Sequence, residues 1–347
     1  MHHPTIDASD ASAPSWTREL LAHSIVTRSP AMHALCERID QVAKTDIAVL
    51  ITGETGVGKE LIAEYIHRSS PRRQQSFIKV GLAALPPELL ESELFGHEKG
   101  AFTNAISAKH GLFELANNGT ILLDDIDDFP KYLQVKLLRA LESREIMRVG
   151  GMRTIPIDIR LICATKVELK DLVERDLFRS DLYYRINVLP IAIPPLRERQ
   201  EDISLLVEHF LTRYRNDRLP EITSEAVQRL VQYPWPGNVR ELRNVVQRIA
   251  LTSGDTVTVQ DLPLEIRDQN PIHHALKSCV RCFAEGAFSL DELLHCLEHN
   301  VLRRALQETR GNRTQAAKML RMSLSTFRDR LRKHNLDHIG RKSDPET

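Results

Sequence analysis

Apolar residues recur at helical spacing through Met32, Leu35, Ile39 and Val42, and the period then shortens. Residues 47–52 form a short β-branched run that predicts a buried strand. A helical stretch over 60–67 follows, then strands over 77–80 and 121–123. A helix over 130–144 opens with Pro130, which suits a first helical turn, and strands over 157–164 and 188–193 complete the pattern. Strands alternating with helices predict a parallel sheet covered on both faces. After Pro194 and Pro195 the strands stop, and 201–266 reads as helices broken by the Pro-rich stretch 233–237. A second helical pattern occupies 290–336.

This divides the chain into a disordered lead-in (1–23), an α/β part (24–200), a helical part (201–266), a linker without clear period (267–288) and a C-terminal all-α unit (289–340). A length of 347 residues fits two or three folded units at about 150 residues each. The apolar share of 42% excludes a wholly disordered chain, and no apolar run reaches the ~18 residues of a membrane helix. Residues 1–16 lack the charged and apolar regions of a secretory signal, and five cysteines are sparse, so a reducing cytoplasm is expected. Lys+Arg 47 against Asp+Glu 47 cancel, which leaves local patches undetermined.

Directly after the first strand comes Gly53-Glu54-Thr55-Gly56-Val57-Gly58-Lys59, followed by Glu60. Between a strand and a helix this is phosphate-loop spacing: glycines let backbone N–H groups wrap phosphate, and the lysine reaches the terminal phosphates. Glu60 stands where the general motif has a Ser or Thr for magnesium. The strand at 121–123 runs into Asp124 and Asp125, the first suited to a nucleotide-bound magnesium and the second to orienting water.

Residues 93–105 read Glu-Leu-Phe-Gly-His-Glu-Lys-Gly-Ala-Phe-Thr-Asn-Ala, which closely resembles the signature of bacterial enhancer-binding proteins. The resemblance runs over about 24–262 and includes the Phe178-to-Asn187, Pro194-to-Arg199 and Trp235-to-Leu242 stretches. It implies an α/β AAA+ P-loop ATPase domain with an α-helical lid. The implied activity is an ATP- and Mg-dependent activator acting on RNA polymerase that carries sigma-54, of the nitrogen-regulation or dicarboxylate-response type. It further implies nucleotide sensing by Thr165, Lys166 and Arg240, and trans-acting Arg179 and Arg185 in a ring, expected to be a hexamer. The loop of Gly100, Ala101, Phe102, Thr103, Asn104 and Ala105 would contact sigma-54. No receiver domain is read in this chain, so control is expected from expression, oligomerisation or a separate regulatory protein.

Four positions depart from the family pattern: Asp125 for a Glu, Gly81 for an Asn, Lys166 for an Asn and Asn104 for a Gly. They support an alternative reading, a DNA-binding regulator that binds nucleotide but has lost efficient hydrolysis or sigma-54 coupling.

In the C-terminal unit, Ala316 and Ala317 mark a close helix crossing. Leu324, Phe327 and Leu331 would face inward, and Ser325, Thr326, Arg328, Asp329 and Arg332 outward. This is a helix-turn-helix whose second helix would read enhancer DNA in the major groove through Ser323, Ser325, Thr326 and Arg328. Arg330, Arg332, Lys333, Arg341 and Lys342 would meet phosphates. It resembles the Fis-type DNA-binding domain, except that Arg321 replaces the usual turn glycine. Cys279, Cys282, His295 and His299 have zinc-finger spacing, but Gly286 and Glu292 stand where finger packing residues belong. The segment carrying both histidines is already needed as the first helix of the unit, so they are expected on its polar face, with zinc binding the lesser reading.

Overall fold

The computed structural model describes residues 16–20, 23–102, 105–215, 219–267, 290–309, 311–334 and 336. Its centre is a parallel five-stranded sheet: β1 (Val49–Thr52), β2 (Phe77–Gly81), β3 (Thr120–Asp124), β4 (Arg160–Thr165) and β5 (Leu189–Ala192), in the order β5-β1-β4-β3-β2. Alternate strand residues feed opposite faces. Val49, Ile51, Leu122, Ile162 and Ile191 pack under helices Pro30–Ala43 and Lys59–Arg68. Leu50, Ile121, Leu123, Leu161 and Cys163 pack under helices Pro87–Phe95, Lys131–Ser143 and Ser180–Ile186. With both faces covered, the strands need no polar alternation, which explains their continuous apolar runs.

Arg160 is the one buried charge among the described residues of the sheet. It is fully buried and donates to the Ala43 and Val42 carbonyls at 2.8 and 3.0 Å, ending the Pro30–Ala43 helix. Burial lowers its pKa to about 10, so it stays cationic at neutral pH.

Two expectations need correction. The lead-in was expected to run to residue 23, yet Trp16–Leu20 pairs antiparallel with His23–Thr27. A two-stranded ribbon needs only local backbone bonds, so it forms here without an alternating pattern. Residues 1–15 lie outside the described residues. Strands were also expected to stop after Pro195, but the short pair Glu221–Ile222 and Thr256–Val257 fastens the helical part. The main helices of that part are Glu201–Tyr214, Ser224–Gln232 and Asn238–Thr252. Trp235 plugs its core, fully buried, with Nε1 donating to the Leu230 carbonyl at 2.8 Å.

The C-terminal unit consists of helices Leu290–Glu308, Arg313–Met319 and Leu324–Lys333 around Leu302, Leu306, Ala316, Ala317, Phe327 and Leu331. Of the linker expected over 267–288, Arg267 closes the short helix Leu264–Arg267, and 268–288 lie outside the described residues. No helix among the described residues is long and apolar enough to cross a membrane.

Candidate nucleotide site and nucleic-acid interface

The β1–helix turn places its glycines for two different reasons. Gly58 has φ +107° and caps helix Lys59–Arg68, a backbone state that L residues rarely adopt. Gly56, at φ +84°, faces the helical part: a Cβ there would sit 2.3 Å from the Gly237 carbonyl oxygen. The Arg240 N–H donates to the Gly56 carbonyl at 3.2 Å, so the phosphate loop and the lid meet backbone to backbone. Lys59 is buried and donates from Nζ to the Gly53 and Glu54 carbonyls at 2.8 and 3.3 Å. Burial lowers its pKa, and the charges of Asp124, Asp125 and Asp127 oppose that shift.

A charged network fixes the lid over this turn. Glu54 takes a two-pronged ion pair from Arg197 at 2.7 and 2.8 Å and a third bond from Asn238 Nδ2 at 3.1 Å. These donors, Arg197 foremost, hold its carboxyl down at about 2. Arg199 reaches the Val57 carbonyl at 3.2 Å, and its Nη1 lies 3.8 Å from Asp202. Asp202, fully buried, accepts from Thr27 Oγ1 at 2.8 Å and from the N–H groups of Arg28 and Ser29 at 2.6 and 3.0 Å.

At the end of β3, Asp124 and Asp125 face the same space. Burial raises the Asp124 carboxyl above its ordinary range, followed by the charge of Asp125. Asp125 is left-handed (φ 55°, ψ 48°) and donates its N–H to Asp124 Oδ1 at 3.0 Å. Thr165 ends β4, where its carbonyl accepts from the Gly53 N–H at 3.2 Å.

The result is one cleft of about 390 Å³, lined by Thr55, Gly56, Val57, Gly58, Lys59 and Glu60, by Asp124 and Asp125, and by Arg240. A loop of backbone donors, a buried lysine and a strand-end carboxylate fit a nucleoside triphosphate and its magnesium. Its remaining wall includes Ile25, Val26, Met32, Phe210, Arg213 and Arg243. Sequence reasoning missed that wall, because apolar residues at helical spacing carry the same signal as core. It also missed Lys79, whose Nζ ties Glu60 and Glu64 at 2.8 and 3.3 Å within this cleft.

Other expected residues lie elsewhere. Arg179 is paired with Asp181 at 2.7 Å, and Arg185 donates to the Leu141 carbonyl at 2.8 Å; neither lines the cleft. Lys166 also stands outside the lining, against Asp128 at 2.8 Å. In the loop at 100–105, the Gly100 N–H donates to the Ala105 carbonyl at 2.8 Å, closing its base. Phe102 is 42% exposed and packs edge-on to His97. Thr103 and Asn104 lie outside the described residues. Arg148 anchors the neighbouring ribbon (Glu145–Met147 with Thr154–Pro156) through Glu98 at 3.1 Å and Glu114 at 2.8 Å.

In the C-terminal unit, Ser323 caps helix Leu324–Lys333 by accepting the Thr326 N–H at 3.1 Å. Phe327 and Leu331 are buried, while Ser325, Thr326, Arg328, Asp329, Arg332 and Lys333 are exposed, as their spacing predicts. Arg321 takes φ +53° in the turn, the backbone state for which glycine was expected. The Arg330 guanidinium is turned onto Glu298 of the first helix, within its own unit. Arg341 and Lys342 lie outside the described residues, as do Cys279 and Cys282. The rings of His295 and His334 lie 4.2 Å apart between centroids, tilted by 41°. Among the described residues no group of three or more His, Cys, Asp or Glu is arranged to hold a metal ion.

Comparison with known proteins finds three family models in order along the chain. Residues 25–192 match the sigma-54 interaction domain, 197–278 the AAA+ ATPase lid domain, and 295–334 the bacterial regulatory protein, Fis family. The chain is 42% identical over 331 residues to the sigma54-dependent transcriptional activator SfnR of Pseudomonas putida, covering 92% of this chain and 90% of that protein. It is 45% identical over 317 residues to the regulatory protein AtoC of Escherichia coli, covering 90% and 68%. Among solved structures, NtrX of Brucella abortus in complex with ATP aligns at a TM-score of 0.65 and 33% identity, covering 89% of this chain and 69% of that one.

Proposed function

Since this chain belongs to the sigma-54-dependent transcription activators, with an AAA+ domain and a Fis-type helix-turn-helix, we propose how its residues divide the work. ATP binds in the cleft with its phosphates on the turn from Gly53 to Lys59, and Asp124 holds the accompanying magnesium. Asp125 orients the attacking water. Arg240 carries the state of the site into the lid through its backbone bond to Gly56. The observation that carries this reading is the convergence of phosphate loop, strand-end carboxylates and lid arginine on one cleft.

Arg179 and Arg185 lie outside their own protomer's cleft, which supports their use on a neighbour's nucleotide in a ring, expected to be a hexamer. Hydrolysis then moves the 100–105 loop, which presents the half-exposed Phe102 to sigma-54 and remodels the closed polymerase complex. Enhancer DNA lies along the exposed face of helix Leu324–Lys333. The test is ATP turnover by purified protein together with open-complex formation by sigma-54 polymerase on an enhancer-bearing template. Turnover without open complexes would remove the coupling and keep the ATPase. The second reading, a nucleotide-binding regulator with little turnover, is favoured by the shorter Asp125 arm; a carboxylate ending about 1.5 Å short can cost on the order of 100-fold in rate. Nucleotide binding without turnover would support it.

A further inference from the structure

Four carboxylates, Asp124, Asp125, Asp127 and Asp128, fall within five residues at the end of β3, beside a cleft suited to a polyanion. The Asp127 side chain is only 4% exposed. Like charges so placed repel one another and any phosphate that approaches. Lys59 feels the charges of Asp124, Asp125 and Asp127, but its Nζ is bonded to the Gly53 and Glu54 carbonyls rather than to any carboxylate of this row. On the β2 side of β3, Gly81 stands directly opposite Asp124, and a Cβ there would meet only Ala84, at 3.8 Å. Gly81 itself therefore offers the row no side chain from that edge.

Restraint comes from the other neighbour of β3. Lys166 follows the last residue of β4, and its Nζ lies 2.8 Å from Asp128, 3.3 Å from Asp127 and 3.9 Å from Asp125. Its N–H also points at Asp127 Oδ1 at 3.5 Å. Asp125 itself sits in a left-handed conformation with no side-chain cap, a state that persists only when its surroundings over-determine it.

We infer that Lys166 is the positioning residue for Asp125. It gathers the three carboxylates of the Asp125-to-Asp128 turn onto one cation, and so fixes both the direction of Asp125 and the charge that a nucleotide meets. This rests on the hydrolysis reading for its catalytic consequence, but the restraint on the turn stands apart from turnover.

The test uses the full chain with Lys166→Met and Lys166→Arg. Amide exchange over 126–129 is measured without nucleotide, where the Asp128 N–H to Asp125 carbonyl bond (2.9 Å) is the probe. Turnover and ADP affinity are measured in parallel. Lys166→Met should speed exchange at these amides at least tenfold and lower kcat at least tenfold, with ADP affinity changed less than threefold. Lys166→Arg should restore slow exchange and most of kcat. Unchanged exchange in Lys166→Met overturns the inference, as does a loss confined to affinity, which would make Lys166 a source of charge only. If the native protein fails to hydrolyse ATP, the hydrolysis reading falls, and the exchange data still decide the role of Lys166.

Discussion

The nucleotide cleft and the helix-turn-helix unit are held together by different means. The cleft is drawn shut by polar contacts between distant parts of the chain: Arg197 with Glu54, Arg199 with Val57, Asn238 with Glu54, and Thr27 with Asp202. The helix-turn-helix unit is local. Two side-chain caps, Asn312 and Ser323, start its short helices, and eight buried residues between Leu302 and Leu336 form its core. A site closed by many separate bonds loses function by degrees, whereas a core of eight side chains has little reserve. The two regions should therefore answer substitution differently.

The largest effect is expected at Phe327, fully buried at the centre of the small core. Phe327→Ala should cost about 3–5 kcal/mol, enough to unfold this unit. Specific DNA binding should vanish in a mobility-shift assay while nucleotide affinity is retained. Loss of both would show that the two regions fold as one.

Next is Lys59→Ala. Hydrogen bonds from charged groups contribute about 1.5–3 kcal/mol, so nucleotide affinity should fall roughly 10- to 100-fold in a fluorescent-ADP titration. DNA binding should be untouched. Arg328→Ala should cost about 1–3 kcal/mol on the cognate site if the side chain reads a base. An equal loss on random DNA would reassign it to phosphate.

Legibility in the sequence follows the same divide. The five central strands and the turn from Gly53 to Lys59 were readable because each is contiguous, with its own period or spacing. So was the alternation of Phe327 and Leu331 with Ser325, Thr326 and Arg328. The far wall of the cleft was not, since Ile25 and Phe210 meet only after folding and look like core until then. Arg197 and Glu54 are 143 positions apart, and nothing local to either announces the other. The strand Trp16–Leu20 was missed because three successive polar residues between two apolar ones show neither alternation nor an apolar run. Buried Arg160 had no signal at all: its purpose is two carbonyls at the end of a helix more than a hundred residues earlier.

The smallest effect tests the polar stitching itself. Glu54 is held at about 2 against an ordinary 4.5, chiefly by Arg197 and then by Asn238. A folded value below the unfolded one means that the stabilisation is complete above about pH 4.5 and is lost as pH falls through 2. Both side chains of the pair are more than 40% exposed, so solvent screening keeps the contribution below about 1 kcal/mol. Glu54→Gln keeps the shape and removes the charge. In urea unfolding followed by the fluorescence of buried Trp235, the native chain should lead the variant by about 0.5–1 kcal/mol at pH 6. That lead should shrink as pH falls below 4.5 and respond to added salt. A gap that ignores both pH and salt would mean that Glu54 acts through packing with Asn238, and the cleft would then resemble the helix-turn-helix unit more closely than its charged network suggests.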